Sequence, residues 1–296
     1  NAGGLITTGT LNTLIGGLSG DALTSGNNNV AVGYLALSAA TTTTYNTAVG
    51  ANAGAAVTTG ANNTFVGGLC GDATDDGTSN TGIGKGALSA NCADNNTAVG
   101  ANAGAAVTTG ANNTFVGGLA GDGTQGGGDN TAVGFSALSG VCGAENVAVG
   151  KNALLVSTSG RNTAIGWGAG DSNTTGAGNV YIGYDCAAYE NNATTGADNT
   201  YIGAFARPSA VGVGSELAIG RYVLGQGAST ATLGLNGNGA TISIDGSDTS
   251  WAAHSDERLK ENITTSTAGL SFVNDLRPVT YTWKAKNAIS EDFVHY

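Results

Sequence analysis

Few residues in this chain are of a type that does chemistry, and most of those stand apart. Ser255 and Lys260 fall in one charged run, SDERLKENI. A serine hydroxyl attacks a carbonyl only once a base has taken its proton. A lysine can be that base where burial or neighbouring charge lowers its pKa. From spacing alone the run reads as a solvated polar turn. The four cysteines, Cys70, Cys92, Cys142 and Cys186, form no CxxC and no Cys/His cluster, so no zinc site is expected. Asp21, Asp72, Asp122 and Asp171 recur after glycine and read as turn residues. Three copies of one such Asp around an axis are the only route to a calcium site. His254 and His295 are isolated, and no carboxylate pair for glycoside cleavage stands out. Tyr34, Phe135, Trp167 and Tyr184 each follow a recurring glycine; they read first as surface packing and second as rings on which a sugar could stack.

The elements that carry these residues are repeats. The 296 residues include 51 Gly, 2 Pro and no Met, with 41% hydrophobic and 10% charged. So much glycine with so little charge suits a repetitive, closely packed β structure better than a solvated coil. Without Met, residue 1 is not a translation start, and chain upstream of Asn1 is expected. A net charge of −11 argues against nucleic-acid binding and against an anionic membrane, and no apolar run is long enough for a membrane helix.

The motif Asn-Thr/Val-x-Val/Ile-Gly places glycines at 16, 33, 50, 67, 84, 100, 117, 134, 150, 166, 183 and 203, with a weaker copy at Gly220. The 24 residues from Asn46 to Leu69 return unchanged at Asn96–Leu119, as in a duplicated three-coil block. Such regularity predicts an all-β parallel β-solenoid with coils of 16–17 residues. The residue three after each glycine from Gly16 to Gly203 is small, predicting a tight buried column, and the motif Asn predicts an amide ladder. The Val/Ile and Thr/Val positions flanking the strand centre are assigned to the interior. The central position (Ala, or Leu14, Phe65, Phe115, Tyr181, Tyr201) is assigned to contact between subunits. Cys70 and Cys186 sit in the small column. Cys92 and Cys142 lie three rungs apart, about 14 Å, beyond disulfide reach. Free thiols suit assembly in a bacterial cytoplasm.

The coils NTAVG and NVAVG resemble the head repeats of trimeric autotransporter adhesins, over roughly residues 12–220. That resemblance implies left-handed β-rolls packed as a homotrimer; similar repeats occur in phage fibres. The expected organisation is a shaft at 1–203, a β-rich neck or cap at 204–254 and a small α+β fragment at 255–296. In the neck, Ala240–Asp245 alternates as a strand, with Asn-Gly and Asp-Gly as turn signals. In the fragment, residues 267–276 suit a short helix stopped at Pro278.

Ser255, Asp256, Arg258, Leu259, Lys260, Asn262 and Ile263, then Leu276, Arg277, Pro278, Val279 and Tyr281, resemble the opening of the endosialidase-type intramolecular chaperone domain of phage tailspikes and fibres. The resemblance implies a domain that trimerises, templates the β-fibre and then cuts itself away. The cut would fall between His254 and Ser255, with Ser255 the nucleophile and Lys260 its dyad partner. Intramolecular attack needs no separate binding step. The expected function is a phage tail fibre or spike that attaches to a host cell surface. Its expected partners are two further copies, a host glycan or protein, and upstream fibre or baseplate proteins. Its expected place is the virion, after assembly in the host cytoplasm. No cofactor, metal or membrane insertion is expected, and no enzyme activity beyond self-cleavage. A bacterial trimeric surface adhesin is the alternative. An ice-binding solenoid fits less well, because Thr7-Thr8, Thr41–Thr44, Thr58-Thr59 and Thr108-Thr109 do not recur in every coil.

Overall fold

The computed structural model describes residues 1–188, 194–246 and the backbone of 252–253. The chain divides into two units, Asn1–His254 and Ser255–Tyr296. The expected helix at 267–276 and the α+β fragment lie outside the described residues.

Every motif forms a three-residue strand: β1 (Thr13–Ile15), β2 (Val30–Val32), β3 (Thr47–Val49), β4 (Thr64–Val66), β5 (Thr81–Ile83), β6 (Thr97–Val99), β7 (Thr114–Val116), β8 (Thr131–Val133), β9 (Val147–Val149), β10 (Thr163–Ile165), β11 (Val180–Ile182), β12 (Thr200–Ile202) and β13 (Leu217–Ile219). Each strand pairs in parallel with the next in chain order, so the chain advances one rung per motif. The register never slips: Val49 faces Val66, Val66 faces Ile83, and Ile202 faces Ile219. At about 4.8 Å per rung, thirteen rungs make a ladder about 58 Å long. The described residues contain no helix. The parallel β-solenoid is therefore the fold, and its ladder runs on past Gly203 through β13, which the sequence reading had assigned to the neck.

The recurring glycine has a steric cause. Gly50 sits at φ +138°, and a Cβ there would stand 2.6 Å from the Gly67 carbonyl of the next rung. No L side chain fits that approach. The small column is as expected: Ser19, Ala36, Cys70, Ala137 and Cys186 are all fully buried.

The strand faces are the reverse of the expectation. Central residues point inward, so Ala31, Phe65, Phe115, Tyr181 and Tyr201 are fully buried. The flanking positions point outward, leaving Ile15 58%, Ile83 42% and Ile165 41% exposed. The motif Asn explains why. Its side chain must turn inward to reach the next rung, and by the period of two the strand centre shares its face. From Asn12 to Glu216 each rung's backbone N–H donates to the Asn Oδ1 of the rung before, at 2.8–3.0 Å. In most rungs the amide Nδ2 donates to a carbonyl in the following coil, as from Asn63 to Gly77 at 2.8 Å, while Asn80 Nδ2 is left without a partner and Asn162 Nδ2 donates within its own coil. The buried amides thus satisfy the strand entrance at every turn.

The interior is filled by size complementarity. Where the strand centre is large, as in Leu14, Phe65 and Phe115, the residue four after the motif glycine is Gly20, Gly71 or Gly121. A Cβ on Gly71 would stand 2.5 Å from the Phe65 ring. Where the centre is Ala31, Gly82, Ala132 or Ala148, that turn position holds buried Leu37, Leu88, Leu138 or Leu154. The two columns share one narrow volume, and two coil types of the 50-residue block differ in which column supplies the bulk. In the third, Ala48 and Gly54 are both small and the space is filled by Leu37 and Phe65 of the adjoining coils.

The corner threonines are structural. Thr7, Thr24 and Thr174 hydroxyls donate to the carbonyls of Thr24, Thr41 and Thr194 in the next coil. Those hydroxyls are used within the coil stack and do not form a free outward grid.

Beyond β13 the pattern changes. β14 (Thr230–Leu235) continues in parallel from β13, then β15 (Asn238–Ser243) turns back antiparallel, followed by β16 (Ala252–Ala253). The two-residue turn is Asn236-Gly237, with φ of 51° and 80°, as a type I′ hairpin requires. The expected strand at 240–245 is thus β15, shifted two residues toward the N-terminus.

Candidate functional site

Of the residues read for chemistry, His254, Ser255 and Lys260 lie outside the described residues. The described chain reaches their edge at β16, which pairs with β15.

The cysteines are interior. All four are free and buried. Burial, its largest cause, pushes the Cys70 and Cys186 thiols up to about 12. Cys92 and Cys142 meet Thr74 and Thr124 hydroxyls at 3.2 and 3.0 Å. Burial raises both of these thiols, outweighing that contact. Thiols held protonated are poor nucleophiles and poor metal ligands.

The recurring Asp residues occupy separate coils. Asp72 and Asp122 each keep one buried oxygen without a hydrogen-bond partner. Desolvation raises Asp72 and Asp171 above the usual carboxylate range. Among the described residues no group of three or more His, Cys, Asp or Glu is placed to hold a metal ion.

Glu216 is the residue that sequence reading passed over. It occupies the Asn column at the last motif, ELAIG, and is 1% exposed. Its backbone N–H closes the Asn ladder on Asn199 Oδ1 at 2.9 Å. Its carboxylate accepts from the Tyr201 hydroxyl at 2.7 Å, the Gly227 N–H at 2.7 Å and the Ser209 N–H at 3.2 Å. Burial first, then the Glu216 charge, raise the Tyr201 phenol above its usual range. The acid thus ends the ladder and ties coil 12 to the chain entering β14. An acid among twelve Asn was the available signal.

The aromatic residues form a surface stripe. Tyr34, Phe135, Trp167 and Tyr184 are all exposed, Trp167 at 40% and Tyr184 at 49%. Tyr34 and Phe135 stand alone in their coils. Trp167 and Tyr184 stack at 4.9 Å with planes 11° apart, and Tyr184 meets Phe205 edge-on at 5.3 Å. Phe205 stacks on Tyr222 at 4.6 Å, and the Arg221 guanidinium lies 4.8 Å from the Tyr222 ring centre. Four consecutive rungs therefore carry one continuous aromatic stripe along the axis. Beside it, Asp185 and Asp171 converge over Gly168: a Cβ there would stand 2.5 Å from Asp185 Oδ1 and 3.9 Å from Asp171 Oδ2. Burial, then the Asp171 charge, push Asp185 upward. Phe205 and Tyr222 were missed because they lie two, not one, after the motif glycine.

No curated protein and no solved structure matches the chain. Residues 255–296 match the family model described as Chaperone of endosialidase, beginning at Ser255.

Proposed function

We propose that the chain is the shaft and neck of a phage tail fibre or spike, assembled as a homotrimer, that attaches to a host cell surface. The carrying observation is the order of parts: a thirteen-rung parallel β-solenoid followed by a match to Chaperone of endosialidase. In this reading residues 255–296 open a chaperone that brings three chains together. Lys260 takes the Ser255 hydroxyl proton, and the Ser255 Oγ attacks the His254 carbonyl. The amide C–N bond breaks as the Ser255 nitrogen receives a proton from Lys260, and water then hydrolyses the resulting ester, freeing a chain that ends at His254. The mature product resides in the virion after assembly in the host cytoplasm, joined to upstream fibre or baseplate proteins. Its receptor is a host glycan or protein.

The outward face supports the trimer. Its Val/Ile column runs unbroken over the rungs beside a column that is mostly Thr, with Val30, Val147, Val180 and Leu217, and leaves Ile15, Ile83, Val116, Val133 and Ile165 exposed. An apolar strip of that length marks an interface. A partner covering it end to end must repeat at the same pitch, and further copies of this chain do. This face replaces the inward Ala/Phe face first assigned to subunit contact.

The test is the intact mass of the expressed full chain beside its Ser255→Ala and Lys260→Ala variants. The wild type is expected as a species ending at His254 and both variants as uncut chain. An uncut wild type under native conditions contradicts the reading. The bacterial surface adhesin, favoured by the NTAVG coils alone, predicts no cut.

A further inference from the structure

The shaft closes its coils without aromatics in most places. At the one or two positions after the motif glycine it uses Ala51-Asn52, Gly68-Leu69, Lys85-Gly86, Ala101-Asn102 and Lys151-Asn152. Coils of the same geometry therefore need no ring there. The last four rungs nevertheless carry Trp167, Tyr184, Phe205 and Tyr222 in sequence. Trp167 and Tyr184 are exposed, and Phe205 and Tyr222 are half-buried beside them. Large rings left open to water in a row mark binding surfaces.

We infer that the stripe from Trp167 to Tyr222 binds an uncharged polysaccharide chain laid along the shaft axis. The inference deepens the attachment role proposed above and rests on it. Three features select the ligand. The rings succeed one another at the rung spacing, which suits a linear polymer of ring-shaped units and not a compact ligand. Pyranose rings carry apolar C–H groups that pack against aromatic side chains, and hydroxyls at their rims. Asp171 and Asp185, aimed together over Gly168 beside Trp167 and Tyr184, are acceptors for such hydroxyls. The same carboxylates, on a chain of net charge −11, repel sialic acids, uronates and phosphates. Asp185 makes no side-chain hydrogen bond among the described residues, so its acceptors are open to a ligand.

The test is a microarray of defined neutral and anionic glycans, probed with the full chain as expressed and followed by titration of the best binder. The variants are Trp167→Lys and Tyr184→Ala, both residues that other coils already hold in that column, and Tyr184→Phe. Neutral glycans are expected to bind and acidic ones not. Trp167→Lys and Tyr184→Ala are each expected to weaken binding by about tenfold or more, with Tyr184→Phe close to wild type. Circular dichroism and oligomeric state are expected to be unchanged. Binding of anionic glycans only, of no glycan, or equally by all variants overturns the inference. So does dissociation of copies in the variants with glycan binding intact, which would make the stripe a subunit contact. A chain that binds neutral glycans through Trp167, yet is neither cut nor associated, would sink the fibre reading and leave the stripe assigned.

Discussion

The Tyr201 hydroxyl donates to Glu216 Oε2 across 2.7 Å, with both side chains buried. The bond joins the interior of coil 12 to the residue that ends the Asn ladder. Glu216→Ala removes the acceptor for the hydroxyl and for the N–H groups of Ser209 and Gly227 at once. A loss on the order of 3–5 kcal/mol is expected, against about 1–2 kcal/mol for Tyr201→Phe. Denaturant unfolding of the two variants checks this, and equal losses would show that the carboxylate is not the hub.

Phe65 and Gly71 share one volume, and the coil of Ala132 and Leu138 fills it the other way round. Phe65→Ala alone is expected to cost about 3–5 kcal/mol. Gly71→Leu alone is expected to overpack the coil against the Phe65 ring. The double variant recreates the other pattern, and Leu138 already tolerates φ +56° at that position. It is expected to recover at least about 2 kcal/mol relative to the sum of the singles. A double-mutant cycle that is additive contradicts the complementarity.

Alkali is expected to destabilise the shaft. Burial raises Cys70, Cys186, Tyr181 and Tyr201 above their unfolded values of 9.0 and 10.0. A raised acid favours the protonated, folded form. Its contribution is complete below the unfolded pKa and is lost as pH climbs from there toward the folded one. Unfolding midpoints should therefore be flat near neutrality and fall above about pH 9. Cys70→Ala and Cys186→Ala, which put the column's usual residue in place, are expected to soften that fall. Native thiols should resist alkylation at pH 8 and react on unfolding.

The fold was largely legible because each recurring residue answers one local demand. Gly50 must clear the next rung's carbonyl, the residue three after it must be small, and Asn63 must bridge to its neighbours. These are steric and hydrogen-bonding needs that leave one or two residue types possible. The facing of the strands was not legible, because apolarity alone marks Val49 and Val66 as core and Ala48 as contact. In so narrow a coil the interior has room for Ala, or for one ring opposite a glycine, and the bulkier β-branched residues turn outward. The position of the Asn, two residues before the strand centre, held the correct answer. Of the candidate site, Trp167 and Tyr184 were visible from their spacing. Glu216, Phe205 and Tyr222 were not, because their roles depend on rungs where the motif has drifted. The convergence of Asp171 and Asp185 over Gly168 depends on stacking, since the two lie in different coils.

The outward Thr and Val/Ile face is the centre of the functional account, and the mass of the assembled shaft tests it most directly. Native mass spectrometry of the full-chain product is expected to show three copies of the species ending at His254. Val133→Asp with Ile165→Asp, both on the exposed face, should shift it to single copies with the β signature retained. A wild-type shaft that runs as a monomer, or a trimer indifferent to both substitutions, would contradict the account.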